Sequence, residues 1–326
     1  MSTKPTTYKA VIIGAGRIAS TFDSPSSKNV LTHARALTAH SRVKLVGMTD
    51  TNGVHGKKEA KKWRTNFYAD RETMIHATTP DIVVIATPDK THLSILLYLM
   101  KKNIPLIICE KPVVTNALDI ARVKRVTTQS KSMVLVNFRR RFDPTIVKLR
   151  RDIITKKFGA VISANAIYSK GILHNGAHFI DLARYLFGEM RMSNMVFRVN
   201  DFPEGAPSVG GVATFDRCPQ FYLMNGDERQ FSLAEFEIVT AKRRFRLVDE
   251  GFKLVTEEVV PDPIFKGYHM LGNEKTVQTG LIHSMPGLVS NAVGVLDKKQ
   301  TPQSSLHDAL KTHETCFTLL KSYSKK

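Results

Sequence analysis

A lysine directly after a strongly apolar run is the first residue of this chain that suggests chemistry. Glu110-Lys111-Pro112 follows residues 104–109, which read Ile-Pro-Leu-Ile-Ile-Cys. Such a run predicts a buried strand, and the residues after it lie at the strand's carboxyl end, where ligands of open α/β sheets bind. An ammonium group there can stabilise negative charge that develops on a substrate oxygen. Lys111 is therefore a candidate catalytic residue.

A glycine-rich turn near the N-terminus predicts a cofactor in the same crevice. Residues 8–13 form an apolar run, and Gly14-x-Gly16-x-x-Ala19 follows it. The first glycine permits a tight turn, the second lets the backbone approach a pyrophosphate, and the small third residue lets a helix pack closely on the strand. Backbone N–H groups at the start of that helix can hold phosphate oxygens. The cofactor-binding residues predicted from this turn are Gly14, Gly16, Arg17, Ile18 and Ala19.

An aspartate at the end of the second predicted strand bears on the choice of cofactor. Asp50 follows the run 43–49. A carboxylate at this point can accept both ribose hydroxyls and repels a 2′-phosphate, which favours NAD over NADP. NADP stays open, because Lys57 and Lys58 follow and are ambiguous. The alternative for Asp50 is a solvated aspartate at a strand end.

Four more residues complete the predicted cofactor site. Thr87-Pro88 ends a third apolar run, and its backbone should border the nicotinamide half of the crevice. We also assign His92 and Glu110 to this site, although His92 suits a structural role better than a catalytic one. A polar insertion at residues 20–32 lies beside the phosphate site, either as a neutral insertion, which we favour, or as a lid or substrate contact.

The charge of the chain restricts its partners. The formal charge is +19 over 326 residues. The basic residues occur in small groups, with no basic tail and no nucleic-acid-binding signature. A solvated basic surface is the favoured interpretation, attraction of a phosphorylated or nucleotide-linked substrate comes second, and a nucleic-acid partner comes last.

The remaining composition favours a cytoplasmic protein. No segment approaches the roughly 18 unbroken apolar residues of a membrane span, and residues 1–7 have no apolar signal core. The three cysteines, Cys109, Cys218 and Cys316, suggest neither a disulfide framework nor metal-ligand spacing. We therefore expect no membrane partner and no metal.

The pattern of apolar runs predicts an α/β protein with two domains. Candidate strands of the first part are 9–13, 43–48, 82–87, 106–109 and 133–136, with helices at 33–39, 57–63, 93–102 and 117–130. This alternation predicts a doubly wound parallel sheet, the Rossmann arrangement. Later runs at 161–168, 210–215, 220–225, 235–240 and 245–248, with helices at 178–186 and 306–323, predict a large, mostly antiparallel sheet. We expect a dinucleotide-binding domain at 1–137 and a substrate-binding and oligomerisation domain at 138–326.

With these residues identified, the chain resembles the Gfo/Idh/MocA oxidoreductases. Five motifs in order carry the resemblance, namely Gly14-Ala15-Gly16-Arg17-Ile18-Ala19, residues 86–92 (Ala-Thr-Pro-Asp-Lys-Thr-His), Glu110-Lys111-Pro112, residues 137–144 (Asn-Phe-Arg-Arg-Arg-Phe-Asp-Pro) and residues 171–181 (Gly-Ile-Leu-His-Asn-Gly-Ala-His-Phe-Ile-Asp). Together they cover residues 8 to about 190 and are far more specific than any one of them alone.

The resemblance implies a fold, an activity and roles for individual residues. It implies an N-terminal Rossmann domain and a C-terminal α/β domain whose open sheet forms the substrate floor and often an oligomer interface, in a dimer or tetramer. It implies hydride transfer at a carbon bearing oxygen, usually on a sugar, a cyclitol or a nucleotide-linked sugar. Lys111 corresponds to the lysine near the reacting hydroxyl, and His178 to the usual proton donor or acceptor.

One position departs from the common family pattern. The family usually has an aspartate four residues before the histidine, and this chain has His174. Residues four apart on a helical turn face the same way, so both imidazoles can enter the site. Histidine titrates near neutral pH and suits general acid–base catalysis. A second imidazole orients His178 less well than a carboxylate, so the proton relay stays open between His178 and His174.

Other residues of these motifs are candidate substrate contacts. We assign Arg139, Asn175 and Asp181 to substrate binding together with Lys111 and His174. For Arg139 the alternative to substrate binding is a salt bridge at the domain junction. For Asp181 the alternative is a helix-packing network.

Two classes of function compete. The leading prediction is an NAD(P)-dependent sugar dehydrogenase or reductase acting on a phosphorylated or nucleotide-linked sugar. The alternative is a non-catalytic, dinucleotide-binding regulatory protein on the same fold, because a fold does not define a function. A regulatory protein can lose Lys111 or His178, and this chain retains both.

Overall fold

The computed structural model describes residues 6–202 and 205–323, and the chain divides into two compact units. The first unit comprises the described residues up to Phe142 together with Ile282–Leu310. The second comprises Asp143–Leu281 and the described residues from Lys311 onward. The domain boundary expected after residue 137 placed the segment 282–310 with the second domain, whereas its contacts lie with the first unit.

The first unit contains a six-stranded parallel sheet in the order β3-β2-β1-β4-β5-β6. Its strands are β1 (Tyr8–Ile13), β2 (Val43–Thr49), β3 (Asn66–Tyr68), β4 (Ile82–Ile85), β5 (Leu106–Cys109) and β6 (Met133–Val136). Its first helices are α1 (His33–Ala39), α2 (Gly53–Lys62), α3 (Arg71–Thr78), α4 (Asp89–Lys101) and α5 (Asp119–Thr127). Every residue of β4 and β5 is buried, as expected for parallel strands with both faces covered.

The helix expected to open at the glycine turn is short. Helical backbone covers only Arg17–Thr21, as one wide π-type turn, and α1 begins at residue 33. The insertion between them folds around Asp23, whose buried carboxylate accepts the backbone N–H groups of Leu31 and Thr32 and the hydroxyl of Thr32. The insertion is therefore a loop held by specific hydrogen bonds. It ends at the N-cap of α1, where the Thr32 hydroxyl accepts the N–H of Arg35 at 3.1 Å.

The second unit contains a nine-stranded sheet. Two of its helices lie in the segment 143–281. The helices are α6 (Pro144–Ile154) and α7 (Ala177–Phe187). The strands are β7 (Val161–Tyr168), β8 (Met190–Val199), β9 (Ser208–Phe215), β10 (Cys218–Asn225), β11 (Ala234–Thr240), β12 (Arg243–Val248), β13 (Lys253–Pro261), β14 (His269–Leu271) and β15 (Lys275–Gln278). The order is β14-β13-β12-β11-β7-β10-β9-β8, with β15 also paired to β13. Only the β7–β10 pair is parallel among the described strands of this sheet.

Aromatic packing fixes α7 on one face of this sheet. Phe179 and Phe187 of α7 stack on Phe236 of β11, with ring centroids 6.2 and 6.1 Å apart. Phe221 of β10 lies 6.0 Å from the same ring. These buried rings form the core between helix and sheet, so the position of α7, which carries His178, is set by apolar burial.

Two further helices follow β15 among the described residues. They are α8 (Ser284–Leu296) and α9 (Leu306–Ser322). Leu288, Val289 and Ala292 of α8 are buried in the core of the first unit with Leu135 and Phe142. This apolar face explains why the segment 282–310 belongs to the first unit. Across residues 6–202 and 205–323, none of the helices combines the length and apolar character needed to cross a membrane.

The predicted architecture is confirmed: a parallel Rossmann sheet is followed by a large, mostly antiparallel sheet. Most predicted bounds lie within two residues of the observed ones. The exceptions are α2 and α4, which begin four residues before the predicted start, and α5, which ends three residues before the predicted end. The elements without a sequence prediction are β3, α3, α6, β8, β13, β14, β15 and α8.

Candidate active site

The first unit brings the carboxyl ends of its central strands to one edge of the sheet. The N–H of Ala86 donates to Ile13 at 2.9 Å, the N–H of Glu110 to Ile85 at 3.0 Å, and the N–H of Asn137 to Cys109 at 2.9 Å. These bonds continue the ladder one residue beyond each strand. The glycine turn after β1, the Thr87-Pro88 loop after β4 and Lys111 after β5 therefore share this edge, as the sequence predicted.

The glycine turn has the shape that a pyrophosphate requires. Gly14 has a φ of +95°, and a Cβ there would lie 2.5 Å from the carbonyl oxygen of Ala86. Gly14 is therefore required by both backbone conformation and space. At Gly16, no described heavy atom lies within 4 Å of the position a Cβ would take. Gly16 and Arg17 are exposed, and Ile18 and Ala19 lie progressively deeper, so the open side of the turn faces solvent at Gly16.

Two side chains, those of Asp50 and His55, contact the backbone of Ala15 in the glycine turn. The Asp50 carboxylate accepts the N–H of Ala15 at 2.7 Å and, through its other oxygen, the N–H of Asn52 at 2.8 Å. His55 of α2 places Nε2 2.8 Å from the carbonyl oxygen of Ala15. A carboxylate has further acceptor capacity after two such bonds, so the half-buried Asp50 can still accept ribose hydroxyls. Sequence reasoning missed His55, for which no motif gave a signal.

His92 connects the loops after β4 and β5. Its Nε2 lies 2.7 Å from the carbonyl oxygen of Thr87, and its Nδ1 lies 2.8 Å from that of Pro112. The ring is buried, whereas Pro88 is exposed and Thr87 half-buried. His92 is thus engaged by protein groups on both nitrogens, as its structural interpretation predicted, and its assignment to the cofactor stays a prediction.

Glu110 is held inside the first unit next to the half-buried Lys111. Its Oε1 lies 2.8 Å from His33 Nε2 and accepts Asn137 Nδ2 at 2.7 Å. Burial raises the pKa of Glu110, but the hydrogen bond and charge of His33, the hydrogen bond of Asn137 and the charge of Lys111 outweigh it and leave that pKa below its usual value. Sequence reasoning missed His33, which begins α1, and quoted Asn137 only as part of a motif.

The arginines of the motif at 137–144 are less exposed than a substrate-binding patch would be. Arg139 is half-buried and Arg140 and Arg141 are buried, in a single 3₁₀ turn. Arg141 forms an ion pair with Asp308 at 3.3 Å, and its carbonyl oxygen accepts Gln303 Nε2 at 2.5 Å. Arg141 is therefore bound within the first unit, and both roles considered for Arg139 stay predictions.

The candidate residues of the second unit lie in two successive turns. His174 and Asn175 belong to a π-type turn at Gly171–Gly176, and His178 lies in the first turn of α7. All three side chains are half-buried. The ring of His174 packs 5.1 Å from the ring of Phe202. The turn that carries His174 is wider than the α-helical turn assumed from the sequence, since π-type bonding connects residues five apart.

Asp181 belongs to a buried polar network in the second unit. It is 1% exposed, and its Oδ1 accepts the hydroxyl of Thr312 in α9 at 3.0 Å. Thr312 in turn accepts Arg184 Nη1 at 2.8 Å. Of the two roles left open for Asp181, the structure shows the helix-packing contact, and the substrate contact stays a prediction.

The residues of the first unit fit a nicotinamide dinucleotide. A parallel sheet, a glycine turn with open space at Gly16 and a strand-end carboxylate at Asp50 define a dinucleotide-binding Rossmann domain. Residues 8–138 match the model of the oxidoreductase family GFO_IDH_MocA, which is described as having an NAD-binding Rossmann fold. The resemblance drawn from the motifs is confirmed for residues 8–138, which match the nucleotide-binding domain of the Gfo/Idh/MocA oxidoreductases.

Named relatives and a solved structure are also similar to this chain. The chain is 27% identical over 172 residues to inositol 2-dehydrogenase 2 of Saccharopolyspora erythraea, covering 48% of this chain and 50% of the relative. It is 28% identical over 228 residues to inositol 2-dehydrogenase of Mycolicibacterium smegmatis, covering 65% and 59%. The chain therefore spans only half to three fifths of the length of these relatives. A dehydrogenase structure from Chromobacterium violaceum superposes with a TM-score of 0.79 at 15% identity, over 98% of this chain and 96% of that one, which supports the fold.

Proposed function

We propose that this protein is an NAD-dependent oxidoreductase that interconverts a hydroxyl and a keto carbon of a sugar or related polyol. The observation that carries the proposal is the carboxyl edge of one parallel sheet, where the glycine turn follows β1, Asp50 follows β2 and Lys111 lies in the loop after β5, in a domain that matches an NAD-binding family. The relatives named inositol 2-dehydrogenases support a polyhydroxylated substrate.

The roles follow from the chemistry of each side chain. Bound NAD supplies or accepts the hydride at its nicotinamide ring. Lys111 holds the reacting oxygen and stabilises its developing charge, and His178 exchanges the proton of that oxygen. His174 lines the site and is the alternative proton carrier. The proposed substrate contacts are Lys111, Arg139, His174, Asn175 and Asp181.

A panel of cofactors and substrates tests this function. Thermal shifts with NAD(H) and NADP(H) report binding, and the absorbance of reduced nicotinamide reports turnover of free sugars, inositol, sugar phosphates and UDP-, GDP- and CMP-sugars. We expect NAD-dependent turnover of at least one polyol class. Tight NAD binding with no turnover across the panel would instead support the regulatory alternative.

We further propose that the preferred substrate is anionic, as a phosphorylated or nucleotide-linked sugar. The net charge of +19 motivates this, together with the half-buried Arg139, since a positive field raises the local concentration of anions. We expect a higher kcat/KM for the phosphorylated or nucleotide-linked form than for its free counterpart, with a difference that shrinks as salt is added. Equal or better use of neutral polyols contradicts this choice of substrate.

Asp50→Ala should narrow the preference for NAD over NADP. The substitution removes a ribose acceptor, a charge that repels the 2′-phosphate and the bond to Ala15. Hydrogen bonds to charged groups contribute about 1.5–3 kcal/mol, so NAD affinity should fall roughly tenfold or more. Calorimetric titration with both cofactors measures the ratio, and Glu72→Ala, an exposed acid on α3, is the control. A wild-type preference for NADP would contradict the role assigned to Asp50.

We propose that the second unit forms a homo-oligomer through its open sheet face. Exposed apolar side chains cluster there, with Val212 40%, Tyr222 43% and Met224 40% exposed, and Val212 pairs with Tyr222 across β9 and β10. They border a shallow groove of about 730 Å³. Contiguous exposed apolar patches commonly mark interfaces.

Val212→Asp should shift the protein toward monomer, because a charge at the centre of an apolar interface loses its hydration on association. Light scattering coupled to size-exclusion chromatography measures the molar mass. Val54→Asp is the control, since Val54 is 84% exposed on α2. A monomeric wild type, or an unchanged oligomer in Val212→Asp, argues against this interface.

We also propose a cytoplasmic location. Cys109, Cys218 and Cys316 are buried free thiols. Burial raises the pKa of the Cys218 thiol to about 11, which keeps it protonated and unreactive at neutral pH. Three reduced, buried cysteines fit a reducing compartment.

A further inference from the structure

We propose that His33 and Asn137 are positioning residues that hold the Glu110 carboxylate directly before Lys111 in the chain, and that this carboxylate favours the charged form of the Lys111 amine. We call His33, Glu110 and Asn137 the Glu110 cluster. The inference rests on the proposed role of Lys111 in binding the reacting oxygen, and it assigns to Glu110 an internal role in place of cofactor contact.

The cluster joins three separate elements of the first unit. His33 is the first residue of α1, Glu110 follows β5, and Asn137 follows β6. The His33 and Asn137 nitrogens lie 2.8 and 2.7 Å from the same oxygen, Glu110 Oε1. Exposed fractions of 0%, 8% and 3% for His33, Glu110 and Asn137 show that water contributes little to this arrangement. A carboxylate held by two donors from different elements has little freedom to move.

The energetics favour a charged Glu110. An isolated buried carboxylate is costly and normally takes up a proton. Here the cost of burial is outweighed by His33, by Asn137 and by the charge of Lys111, so the pKa of Glu110 is lowered. An ionised carboxylate only accepts hydrogen bonds, so His33 Nε2 is the donor of the pair. The attraction between Glu110 and Lys111 is mutual, and the carboxylate therefore favours the ammonium form of Lys111.

The backbone on the other side of Lys111 is held independently. His92 contacts the carbonyl oxygen of Pro112 at 2.8 Å and that of Thr87 at 2.7 Å. Lys111 thus lies between a residue held by its side chain and a residue held by its carbonyl. The contacts of His92 position the loop after β5. The Glu110 cluster positions the same loop and also affects the charge of the Lys111 amine, so an experiment that depends on this charge can distinguish the two.

Chemical labelling of Lys111 tests the proposal without relying on turnover. Only a neutral amine reacts with acetic anhydride, and peptide mass spectrometry gives the rate at Lys111 relative to exposed Lys101. A neighbouring opposite charge typically changes the proton affinity of an ionisable group by roughly tenfold or more. We therefore expect Glu110→Gln to label at Lys111 about tenfold faster than wild type at neutral pH, and at the same rate at strongly alkaline pH. Glu59→Gln, which removes another buried carboxylate, is the matched control.

The pH dependence of labelling distinguishes the loss of a charge partner of Lys111 from a more open loop around it. A loop that is only more open labels faster at every pH, whereas a lost charge partner changes the rate only where wild-type Lys111 is protonated. No change in Glu110→Gln, or a change independent of pH, overturns the proposal. Should Glu110→Gln fail to fold, His33→Leu and His33→Gln give the same test. His33→Leu keeps the carboxylate but removes one donor that favours its ionised form, so it should show a smaller rise with the same pH dependence, while His33→Gln keeps an N–H donor and should stay within about twofold of wild type.

Kinetics of the same variants connect the cluster to the proposed reaction. We expect Glu110→Gln to lower kcat and to move the pH profile, with NAD binding close to that of wild type. A labelling change in a protein that turns over no polyol would leave the inference standing and remove the proposed function. Turnover of a polyol by the wild type, with labelling unchanged in Glu110→Gln, would support the proposed function and overturn the inference.

Discussion

Replacing His178 by asparagine should lower turnover by roughly 10²–10⁴-fold, the usual contribution of general acid–base catalysis. Asparagine keeps the polarity and approximate size of the side chain but cannot take up and release the proton of the reacting oxygen. NAD binding should be nearly unchanged, because the glycine turn and Asp50 belong to the other unit. Steady-state kinetics and calorimetric titration of NAD measure the two quantities separately.

Two comparisons make this result interpretable. His269→Asn alters an exposed histidine on β14 of the same unit and should have no effect. His174→Ala should have a smaller effect than His178→Asn if His174 only orients or lines the site. Should His174→Ala abolish turnover while His178→Asn retains it, proton transfer belongs to His174. That outcome would show that the histidine at the usual aspartate position has taken over the relay.

Lys111→Ala should impair both turnover and substrate binding. Removing a single donor to a developing oxyanion typically lowers kcat by about 10²–10³-fold. The lysine also supplies a charge to the ground-state complex, so KM should rise as well. Steady-state kinetics measure kcat and KM, and titration of substrate into the protein with reduced cofactor measures binding directly.

The control and the contrary outcome are both accessible. Lys101→Ala removes an exposed lysine at the end of α4 and should leave both constants unchanged. Full activity in Lys111→Ala would remove the catalytic assignment of the motif at 110–112. If Lys111→Ala also lost NAD binding, the lysine would serve the cofactor rather than the substrate.

Local patterns in the sequence predicted most elements well. The helix at residues 33–39 and the strands at 106–109 and 133–136 have the predicted bounds, because apolar runs with polar flanks leave little freedom. The missed elements have weaker signals. β3 has only three residues and no buried one, and α3 is a mainly polar helix recognisable chiefly by its cap, where Asp70 accepts the N–H of Thr73.

The glycine turn shows where local reasoning ends. Its glycines were recognised because φ and space at Gly14 depend on residue type. The helix after the turn was overestimated, because the insertion interrupts it after Thr21 and α1 begins only at His33. The composition of residues 20–32 predicted a loop, but not the bonds to Asp23 that fold it.

The class of fold, the glycine turn and the candidates Lys111, His174 and His178 could all be predicted from residue type and short-range spacing. The groups that surround these residues could not, because they come from distant parts of the chain. His33 and Glu110 are 77 positions apart, and their contact exists because the fold places the first residue of α1 beside the residue that follows β5. Likewise, an apolar helix face such as that of α8 must be buried, but the pattern does not say against which sheet. Contacts of this kind depend on which apolar surfaces pack together, and that is a property of the whole fold.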